Sequence, residues 1–453
     1  MKARLFVLFA IILLVAVSAC DLSTDSGNPP DSVIFNLDSG DYPGEIVVRL
    51  TAPANQIPSD IYYTLDGTTP DLNSTPYNAT TGITIPDYSQ SPQVGRDVTV
   101  KAVLYYFDEP SDVTTKSYRV FHWTIFGEDG YHQHSYDEAV TWHTQGQFPA
   151  SPYNLTAGYI SNAGVYFVSE MRGKMWISLQ GGHAWFFMGA NDPDLFIHDM
   201  AGDIAGFEII VAGNDSSGHP YVKYLENIHE VNNIYNLTWN VALDADINGV
   251  LENDIHSIGT NGTGVYVVGT VSNELVRFTS ANKDDTTQWI RTTINSGDSR
   301  NSFEFIEYLG TNDQNQKVWI AGGGRHFPLS GGTAPGIIYR SVDNGLTWNP
   351  DIVDAAQWFI DGATNGDGDV IVFGRNGQIR YSVNHGTSWN SMSLPGITET
   401  VSEVTYGELN GVGRYAIIVG GNKVYYSQGQ SFMSFIQGSM TTSNSMFVLL
   451  YGY

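Results

Sequence analysis

The segment Tyr339-Arg340-Ser341-Val342-Asp343-Asn344-Gly345-Leu346-Thr347-Trp348 decides how the rest of the chain is interpreted. It alternates as a strand up to Ser341, carries turn residues at Asp343-Asn344-Gly345 and resumes a β pattern at Thr347-Trp348. The same spacing returns in residues 382–389 and, with Ala in place of Gly, in residues 135–142. We name these three segments the repeat turns. A spacing that recurs in this way indicates a repeat protein built from short strands.

The repeat turns share the pattern Ser-x-Asp-x-Gly-x-Thr-Trp. This pattern resembles the Asp-box, or neuraminidase repeat, of sialidase-like and sortilin-like β-propellers, where it occupies the turn between the third and fourth strands of a blade. The resemblance implies a structural role, in which the polar residues accept hydrogen bonds of the turn and the tryptophans pack between blades. The matching residues are Ser135, Asp137 and Trp142; Ser341, Asp343, Gly345 and Trp348; and Ser382, Asn384, Gly386 and Trp389.

Strand patterns in residues 119–453 predict a seven-bladed β-propeller. Candidate second strands recur about every 40 to 60 residues, which is the range for propeller blades. Six units have a first strand in front of the second strand, and the missing one is supplied by Met446–Tyr451 near the C-terminus. We therefore predict that the C-terminal strand closes the ring as the innermost strand of the first blade. Aromatic residues recur at the fourth strands: Trp142, Trp185, Trp239, Trp289, Trp348, Trp389 and Phe432.

Residues 1–19 are predicted to be a lipoprotein signal peptide, with a basic start and a short apolar core. The ending Val17-Ser18-Ala19-Cys20 resembles a bacterial lipobox, which implies cleavage before Cys20 and a diacylglycerol on its thiol. Cys20 is the only cysteine, so no intramolecular disulfide can form. Residues 20–30 are predicted to form a flexible lipidated tether. We expect an exported lipoprotein anchored in the cell envelope, with the choice between inner and outer membrane left open.

Residues 31–118 are predicted to form an Ig-like β-sandwich. The run Tyr62-Tyr63-Thr64-Leu65-Asp66-Gly67-Thr68-Thr69-Pro70 ends a strand in a tight turn, and its proline blocks continuation of the strand. With Tyr77 and Thr99-Val100-Lys101-Ala102, it resembles the C-terminal β-sandwich domain of chitobiase and β-hexosaminidase. That domain accompanies carbohydrate-active catalytic domains and is not itself catalytic, so the resemblance favours a role with glycans.

The charge of the chain excludes two classes of partner. It has 21 basic and 47 acidic residues, a formal net charge of −26. Such a charge opposes binding to nucleic acid and to anionic lipid surfaces. It is compatible with divalent cations or with solubility alone.

A sialidase activity is not predicted, although the Asp-box resemblance raises the question. Sialidases need an arginine cluster to hold the substrate carboxylate, because the guanidinium group makes bidentate contacts. No Arg-Ile-Pro-type motif stands near the start of the predicted propeller, and arginines are sparse.

Candidate chemistry comes instead from aligning the predicted first strands. First strands surround the channel of a propeller, so polar residues at one level could meet at one mouth. There they could bind a metal or act as acid and base, or they could only line a wet channel. Aligning Ile160, Ile197, Ile255, Ile306, Ile360, Val404 and Val448 places at one level Ser161, His198, His256, Glu307, Asp361, Thr405 and Leu449. The channel candidates are His198, His256, Glu307 and Asp361.

A calcium loop is the second candidate site. Asp244, Asp246 and Asn248 alternate as calcium ligands do, and a glycine follows them. Ile255 stands at the twelfth position, where a bidentate acid belongs, so a solvated loop is the competing interpretation.

Four histidines of the first predicted blade form a third candidate. We expect them to be exposed strand residues, with a metal site as the alternative. They are His122, His132, His134 and His143.

For function we favour a surface-displayed binding or scaffold protein, for a glycan or another envelope protein, over an enzyme. The rival is a glycoside hydrolase or lyase that works in the channel. A third possibility is an envelope assembly factor, because the chain also resembles photosystem-assembly-factor-like propellers. Fold alone does not choose among these functions.

Overall fold

The computed structural model describes residues 29–43, 45–56, 59–85, 98–143, 154–161, 164–170, 172–178, 182, 184–188, 195–203, 208–226, 228, 239–244, 254–294, 301–325, 335–354, 358–374, 377–394, 397, 399–409, 412–429, 434–440 and 442–452. Strands dominate these residues, and helix is limited to short 3-10 turns such as Glu128–Gly130 and Thr286–Gln288. The predicted all-β class is confirmed. In the same residues, none of the helices has the length and apolarity needed to span a membrane. The predicted signal peptide, Cys20 and most of the tether lie outside the described residues.

The chain divides into two compact units, and each unit is built from segments that are not consecutive in sequence. The first unit contains the segment up to Asp38, Val48–Ile83 and Thr99–Lys116; the second contains Ser39–Val47, Thr84–Val98 and Ser117–Tyr453.

The strands up to residue 127 pair mostly antiparallel, and β2 pairs parallel with β10, with Gly40 opposite Tyr118. β5 pairs with β6 and β8, β8 also pairs with β9, β1 pairs with β4, and β3 pairs with β7. Buried Leu50, Val100, Ala102 and Leu104 form the core of the first unit. The strands are β1 (Ile34–Phe35), β2 (Gly40–Pro43), β3 (Ile46–Val48), β4 (Leu50–Thr51), β5 (Asp60–Thr64), β6 (Thr75–Pro76), β7 (Ile83–Ile85), β8 (Val98–Tyr106), β9 (Glu109–Pro110) and β10 (Thr114–Gly127).

The tight turn predicted after β5 is present. The Asp66 carboxylate accepts hydrogen bonds from the N–H of Thr68 at 3.0 Å and from its hydroxyl at 2.6 Å. Gly67 has a φ of 77°, a left-handed conformation that glycine adopts without strain. This local chemistry explains why the turn could be predicted from sequence.

The second unit is a β-propeller. After β11 (His132–Ser135), which pairs with β10, the chain forms six four-stranded antiparallel sheets whose strands pair in chain order. These are the blades β12 (Leu155–Ile160), β13 (Tyr166–Glu170), β14 (Met175–Ser178), β15 (Phe186–Phe187); β16 (Leu195–Gly202), β17 (Glu208–Asp215), β18 (Pro220–Glu226), β19 (Asn240–Asp244); β20 (Ile255–Thr260), β21 (Val265–Thr270), β22 (Glu274–Thr279), β23 (Ile290–Thr293); β24 (Asn301–Thr311), β25 (Lys317–Arg325), β26 (Gly336–Ser341), β27 (Asn349–Asp354); β28 (Phe359–Thr364), β29 (Val370–Gly374), β30 (Gln378–Ser382), β31 (Asn390–Ser393); and β32 (Val401–Leu409), β33 (Val412–Val419), β34 (Lys423–Ser427), β35 (Phe435–Gln437).

The first strand of each blade lies next to the first strand of the following blade, from β12 through β16, β20, β24 and β28 to β32. The last strand, β36 (Met446–Gly452), contacts both β12 and β32 and so lies between the two ends of this series. It pairs antiparallel with β10, with Ile125 opposite Leu449. This is the pairing that the sequence predicted for the C-terminal strand. The inner strands thus surround a central channel.

Packing at this junction is tight. Val448 and Leu449 are buried. Gly158 of β12 approaches β36 so closely that a Cβ atom at this glycine would lie 2.8 Å from Leu450 Cδ1. The interior of β36 is therefore part of the propeller core.

The core of the propeller lies between neighbouring blades. In one such cluster, Ile210 and Val222 pack against Tyr266 and Val268 of the next blade. The predicted aromatic positions are confirmed at the described blades, because each tryptophan directly precedes a fourth strand: Trp185, Trp239, Trp289, Trp348 and Trp389. Phe432 lies outside the described residues.

Candidate functional site

A β-bulge interrupts every inner strand at one level. At each bulge the inner strand has one extra residue without a partner on the second strand. In β16, for example, Ile197 and Asp199 pair with neighbouring residues of β17, and His198 between them is the extra residue. The extra residues are Thr156, His198, His256, Glu304, Ile360, Ser402 and Phe447.

The bulges show that the predicted alignment of the first strands was wrong. Glu304, and not Glu307, is level with His198 and His256, and Asp361 lies one residue beyond that level. The alignment on isoleucines failed because Phe303, three residues before Ile306, occupies the position in front of the bulge.

The bulged residues of three consecutive blades, together with Asn214 on β17, form a polar row, which we name the histidine row: Asn214, His198, His256 and Glu304. The two imidazole rings are 4.9 Å apart, and His198 Nε2 contacts Asn214 Oδ1. His256 Nδ1 lies 3.4 Å from Glu304 Oε2 and 3.2 Å from Ser302 Oγ. Burial and the neighbouring His256 lower the pKa of His198. Since the hydroxyl and the carboxylate approach the same ring nitrogen, this is not the geometry of a Ser–His–acid triad.

Four acidic side chains on the inner strands lie half-buried in the channel: Asp199, Glu307, Asp361 and Glu403. We name them the channel carboxylates. Burial raises the pKa of Asp199 to about 7 and that of Asp361 to about 7. Burial, together with the charges of Asp361 and Asp199, raises the pKa values of Glu307 and Glu403 well above their ordinary range. The structure thus brings two predicted channel residues together with two that the sequence analysis missed.

The two channel aspartates link neighbouring blades. Asp199 on β16 accepts a hydrogen bond of 2.9 Å from the N–H of Ile258 on β20. Asp361 on β28 accepts one of 2.7 Å from the N–H of Val404 on β32. Each aspartate also accepts a hydrogen bond from the N–H of the residue that follows it, so both carboxylates are held by backbone groups of two blades.

Other residues directly after the bulges make links of the same kind. Burial raises the pKa of the Glu403 carboxyl group, and the nearby backbone of Leu449 on β36 opposes this rise. Ser257 Oγ donates to the carbonyl oxygen of Phe303 at 2.8 Å. Asp199 and Glu403 each directly follow a bulged residue, and no sequence pattern marks that position.

Asp199 and Asp361 can hold protons near neutral pH, and a protonated channel carboxyl group could act as a general acid. Glu307 differs from the others, because its carboxyl group accepts no hydrogen bond from the described part of the chain. Among the described residues, no group of three or more His, Cys, Asp or Glu side chains has an arrangement that could hold a metal ion.

The histidines of β10 and β11 are buried, so the prediction that they are exposed was wrong for three of them. His122, His132 and His134 expose 1%, 4% and 0% of their surface. The hydroxyl of Tyr166 contacts His122 Nε2 at 2.9 Å. The physical reason is that the first four-stranded blade covers this face of β10 and β11. Only His143, which forms a backbone bridge with His134, is exposed.

The three repeat turns have the same hydrogen-bond geometry. In each, the first-position serine Oγ donates to the side chain at the third position at 2.8 to 2.9 Å and accepts from the N–H at the fifth position at 2.9 to 3.0 Å. The Oδ1 atom at the third position accepts from the N–H at the seventh position. The fourth and fifth residues have positive φ in every copy, although Ala139 stands where the others have glycine. The predicted turn role of Asp343 and Asn384 is therefore confirmed.

Repeat turns also contact the preceding blade. Arg277 Nε donates to the carbonyl oxygen of Asn344 at 2.8 Å, and Arg340 Nε donates to that of His385 at 2.7 Å. Trp348 packs in one cluster with Val267 of the preceding blade. The turns thus bind neighbouring blades together at the edge of the ring.

Asp343→Ala is expected to lower the free energy of unfolding by about 2 to 3 kcal/mol, because it removes hydrogen bonds from Ser341 Oγ and from the N–H groups of Leu346 and Thr347. Chemical denaturation measures this change. Asn384→Asp is the matched control and should be neutral or stabilising, since it introduces a charged acceptor at the same position of another copy. A loss below about 0.5 kcal/mol in Asp343→Ala would show that the turn is dispensable.

The calcium-loop candidates are not brought into a described site. Asp244 is the last residue of β19, and Asp246 and Asn248 lie outside the described residues.

Comparison with known proteins gives one family match. Residues 48–118 match the Fn3-associated family model. No curated protein sequence is similar to the chain.

Several solved structures are similar to the chain in fold, among them the following three. The first, "YCF48 bound to D1 peptide", is 12% identical, covers 69% of this chain and 90% of its own, and has a TM-score of 0.46. YCF48 from Cyanidioschyzon merolae is 14% identical, with coverage of 66% and 89% and a TM-score of 0.47. U3-55K is 9% identical, with coverage of 64% and 82% and a TM-score of 0.46. At this level the likeness concerns fold alone, and the family match is confined to the Fn3-associated segment.

Proposed function

We propose that the chain is a membrane-anchored, extracytoplasmic binding or scaffold lipoprotein. The observation that carries this proposal is that channel carboxylates form hydrogen bonds between neighbouring blades. Asp199 and Asp361 are held by backbone N–H groups of neighbouring blades, as expected of residues that stiffen a ring. A stiff ring that presents loops at its faces suits binding without reorganisation.

The proposal includes a seventh blade, made of β36, β10 and β11 with the His134–His143 bridge as its outer edge. Its support is the position of β36 between β12 and β32, and the pairing of β36 with β10. It also includes the Asp-box assignment of the repeat turns and an Ig-like sandwich in residues 31–118.

The anchor is proposed from the lipobox-like sequence at Cys20 alone. A glycan or an envelope protein is the proposed ligand. The resemblance of residues 31–118 to a domain that accompanies carbohydrate-active enzymes favours the glycan, and calcium remains the proposed cofactor of the loop at Asp244, Asp246 and Asn248.

A small cleft in the second unit, with room for about one water molecule, presents the kinds of side chain that such a ligand would contact. It is lined by aromatic and charged side chains, including Phe121, Tyr136, Arg414 and Tyr451. Arg414 forms an ion pair with Glu138. Aromatic faces beside a few polar groups are typical of small-ligand sites.

The test is a glycan-array screen of the full chain, run with calcium and with a chelator. Specific binding without turnover is the expected result. Loss of that binding with the chelator would support calcium as cofactor. An array without any specific signal would contradict the glycan and direct attention to protein partners.

A second candidate function rests on Glu307. Its raised pKa and its lack of a hydrogen-bond partner among the described residues suit a general acid of a glycoside hydrolase or lyase in the channel. If the array shows turnover, Glu307→Gln should abolish it. Asp367→Asn, which changes an exposed carboxylate of a neighbouring blade, should leave it unchanged.

A further inference from the structure

The hairpin between β8 and β9 ends in an exposed aromatic side chain. Tyr106 pairs with Glu109, so Phe107 and Asp108 form a two-residue loop. Their φ values are 49° and 65°, as in a type I′ turn, where Asn-Gly is the favoured pair. Phe107 is 77% exposed, more than any other large hydrophobic side chain among the described residues. We name residues 106–109 the aromatic tip.

Neither folding nor turn geometry accounts for phenylalanine at this position. A non-glycine residue with positive φ is strained, and Phe gains little burial in return. Its ring lies 4.4 Å from the ring of Tyr106 at 63°, an edge contact that leaves most of its surface in solvent. Exposed aromatic surface on a rigid hairpin is typical of a residue that contacts a partner.

The negative charge around the aromatic tip indicates that this partner is positively charged. Asp108 and Glu109 belong to the tip, Asp112 follows shortly after, and Asp60 pairs with Tyr105 on the neighbouring strand. All four carboxylates are exposed, and within the described part of the chain none of them forms an ion pair. The three cationic residues described in the first unit are bonded elsewhere: Arg49 to the carbonyl of Ala79, Lys101 to the carbonyl of Gly67 and Lys116 to Asp38.

We propose that the aromatic tip is a docking site for a basic, arginine-containing segment of a protein partner. A guanidinium group can stack on the exposed ring of Phe107 while it donates hydrogen bonds to the adjacent carboxylates. Nucleic acids and anionic membranes are repelled by the same charges. This site lies in the first unit and does not depend on ligand binding by the propeller.

The test uses the full chain and three fluorescent peptides: nona-arginine, nona-lysine and nona-glutamate. The decisive variant is Phe107→Asn combined with Asp108→Gly, which keeps the turn but gives it the residues that a type I′ turn prefers. Its melting midpoint should be equal to or above that of the unaltered chain. Its affinity for nona-arginine should fall about fivefold, and the unaltered chain should bind nona-arginine more tightly than nona-lysine.

The matched control removes one exposed hydrophobic side chain and one exposed carboxylate elsewhere, by Leu72→Ala and Asp313→Asn. It should bind nona-arginine as the unaltered chain does. Equal losses in variant and control would show attraction to the acidic chain as a whole and overturn the proposal. Chitohexaose or zwitterionic vesicles that bind the chain and lose binding in the variant would also overturn it, in favour of a glycan or a membrane.

Discussion

Deletion of Met446–Tyr453 is expected to abolish the cooperative thermal unfolding transition of the propeller. The deletion removes β36, which contacts both β12 and β32 and pairs with β10. It exposes the inner edge of β10 and the core residues that packed on Val448 and Leu449. An open strand edge and a large exposed apolar surface favour aggregation over a stable ring. Calorimetry and size-exclusion chromatography measure the outcome.

A point substitution in the same strand gives a graded version of this result. Leu449→Ala should lower the free energy of unfolding by about 3 kcal/mol, because the side chain is fully buried. Ser443→Ala, at an exposed position just before β36, is the control and should have little effect. If the truncated chain melts cooperatively within a few degrees of the full chain, then β36 does not close the ring.

The propeller is expected to be more stable at pH 5 than at pH 8. Asp199 and Asp361 have pKa values of about 7 in the folded chain, against the ordinary 3.8. Between these values the folded chain holds protons that the unfolded chain has released. The contribution of the two aspartates to the free energy of unfolding is therefore complete when the pH is below their ordinary pKa of 3.8, and it is lost as the pH rises through 7. Together they should add about 2 kcal/mol at pH 5, after allowance for the solvent that reaches them.

Denaturant titrations at a series of pH values test this expectation. The double variant Asp199→Asn with Asp361→Asn cannot titrate at these positions, although each amide keeps only one oxygen acceptor for the two N–H groups that the carboxylate serves. Its stability should be lower overall and vary less with pH, and the remaining pH dependence should come from Glu307 and Glu403. Asp367→Asn in the same blade as Asp361 should keep the full pH dependence. A stability that increases with pH over this range, or an unchanged slope in the double variant, would contradict the role of these aspartates.

Sequence reasoning located the features that are decided locally. The turn at Asp66-Gly67 and the repeat turns could be predicted because a side-chain acceptor and a residue with positive φ suffice to form them. The tryptophans in front of the fourth strands recur at a fixed distance from these turns. The pairing of β36 with β10 could be predicted by counting strands. The first blade had no first strand in front of its second strand, and the strand at the C-terminus belonged to no other blade.

Features that depend on register or on neighbouring blades could not be predicted in the same way. A β-bulge adds one residue to an inner strand without a sequence signature, so Glu307 and Asp361 were placed at the wrong level. His122, His132 and His134 have an alternating pattern that suits an exposed face. Their burial results from the aromatic side chains of another blade, such as Tyr166 and Trp185.

The closure of the ring by β36 also has a consequence for how the chain is made. Glu128 accepts a hydrogen bond from the N–H of Ser445, across 317 residues of sequence. While the ribosome delivers the intervening blades, the inner edge of β10 does not yet have β36 beside it. Ring closure is therefore a late step with a high loop-closure cost, and the nascent chain passes through a long interval in which an unpaired strand is open to wrong partners.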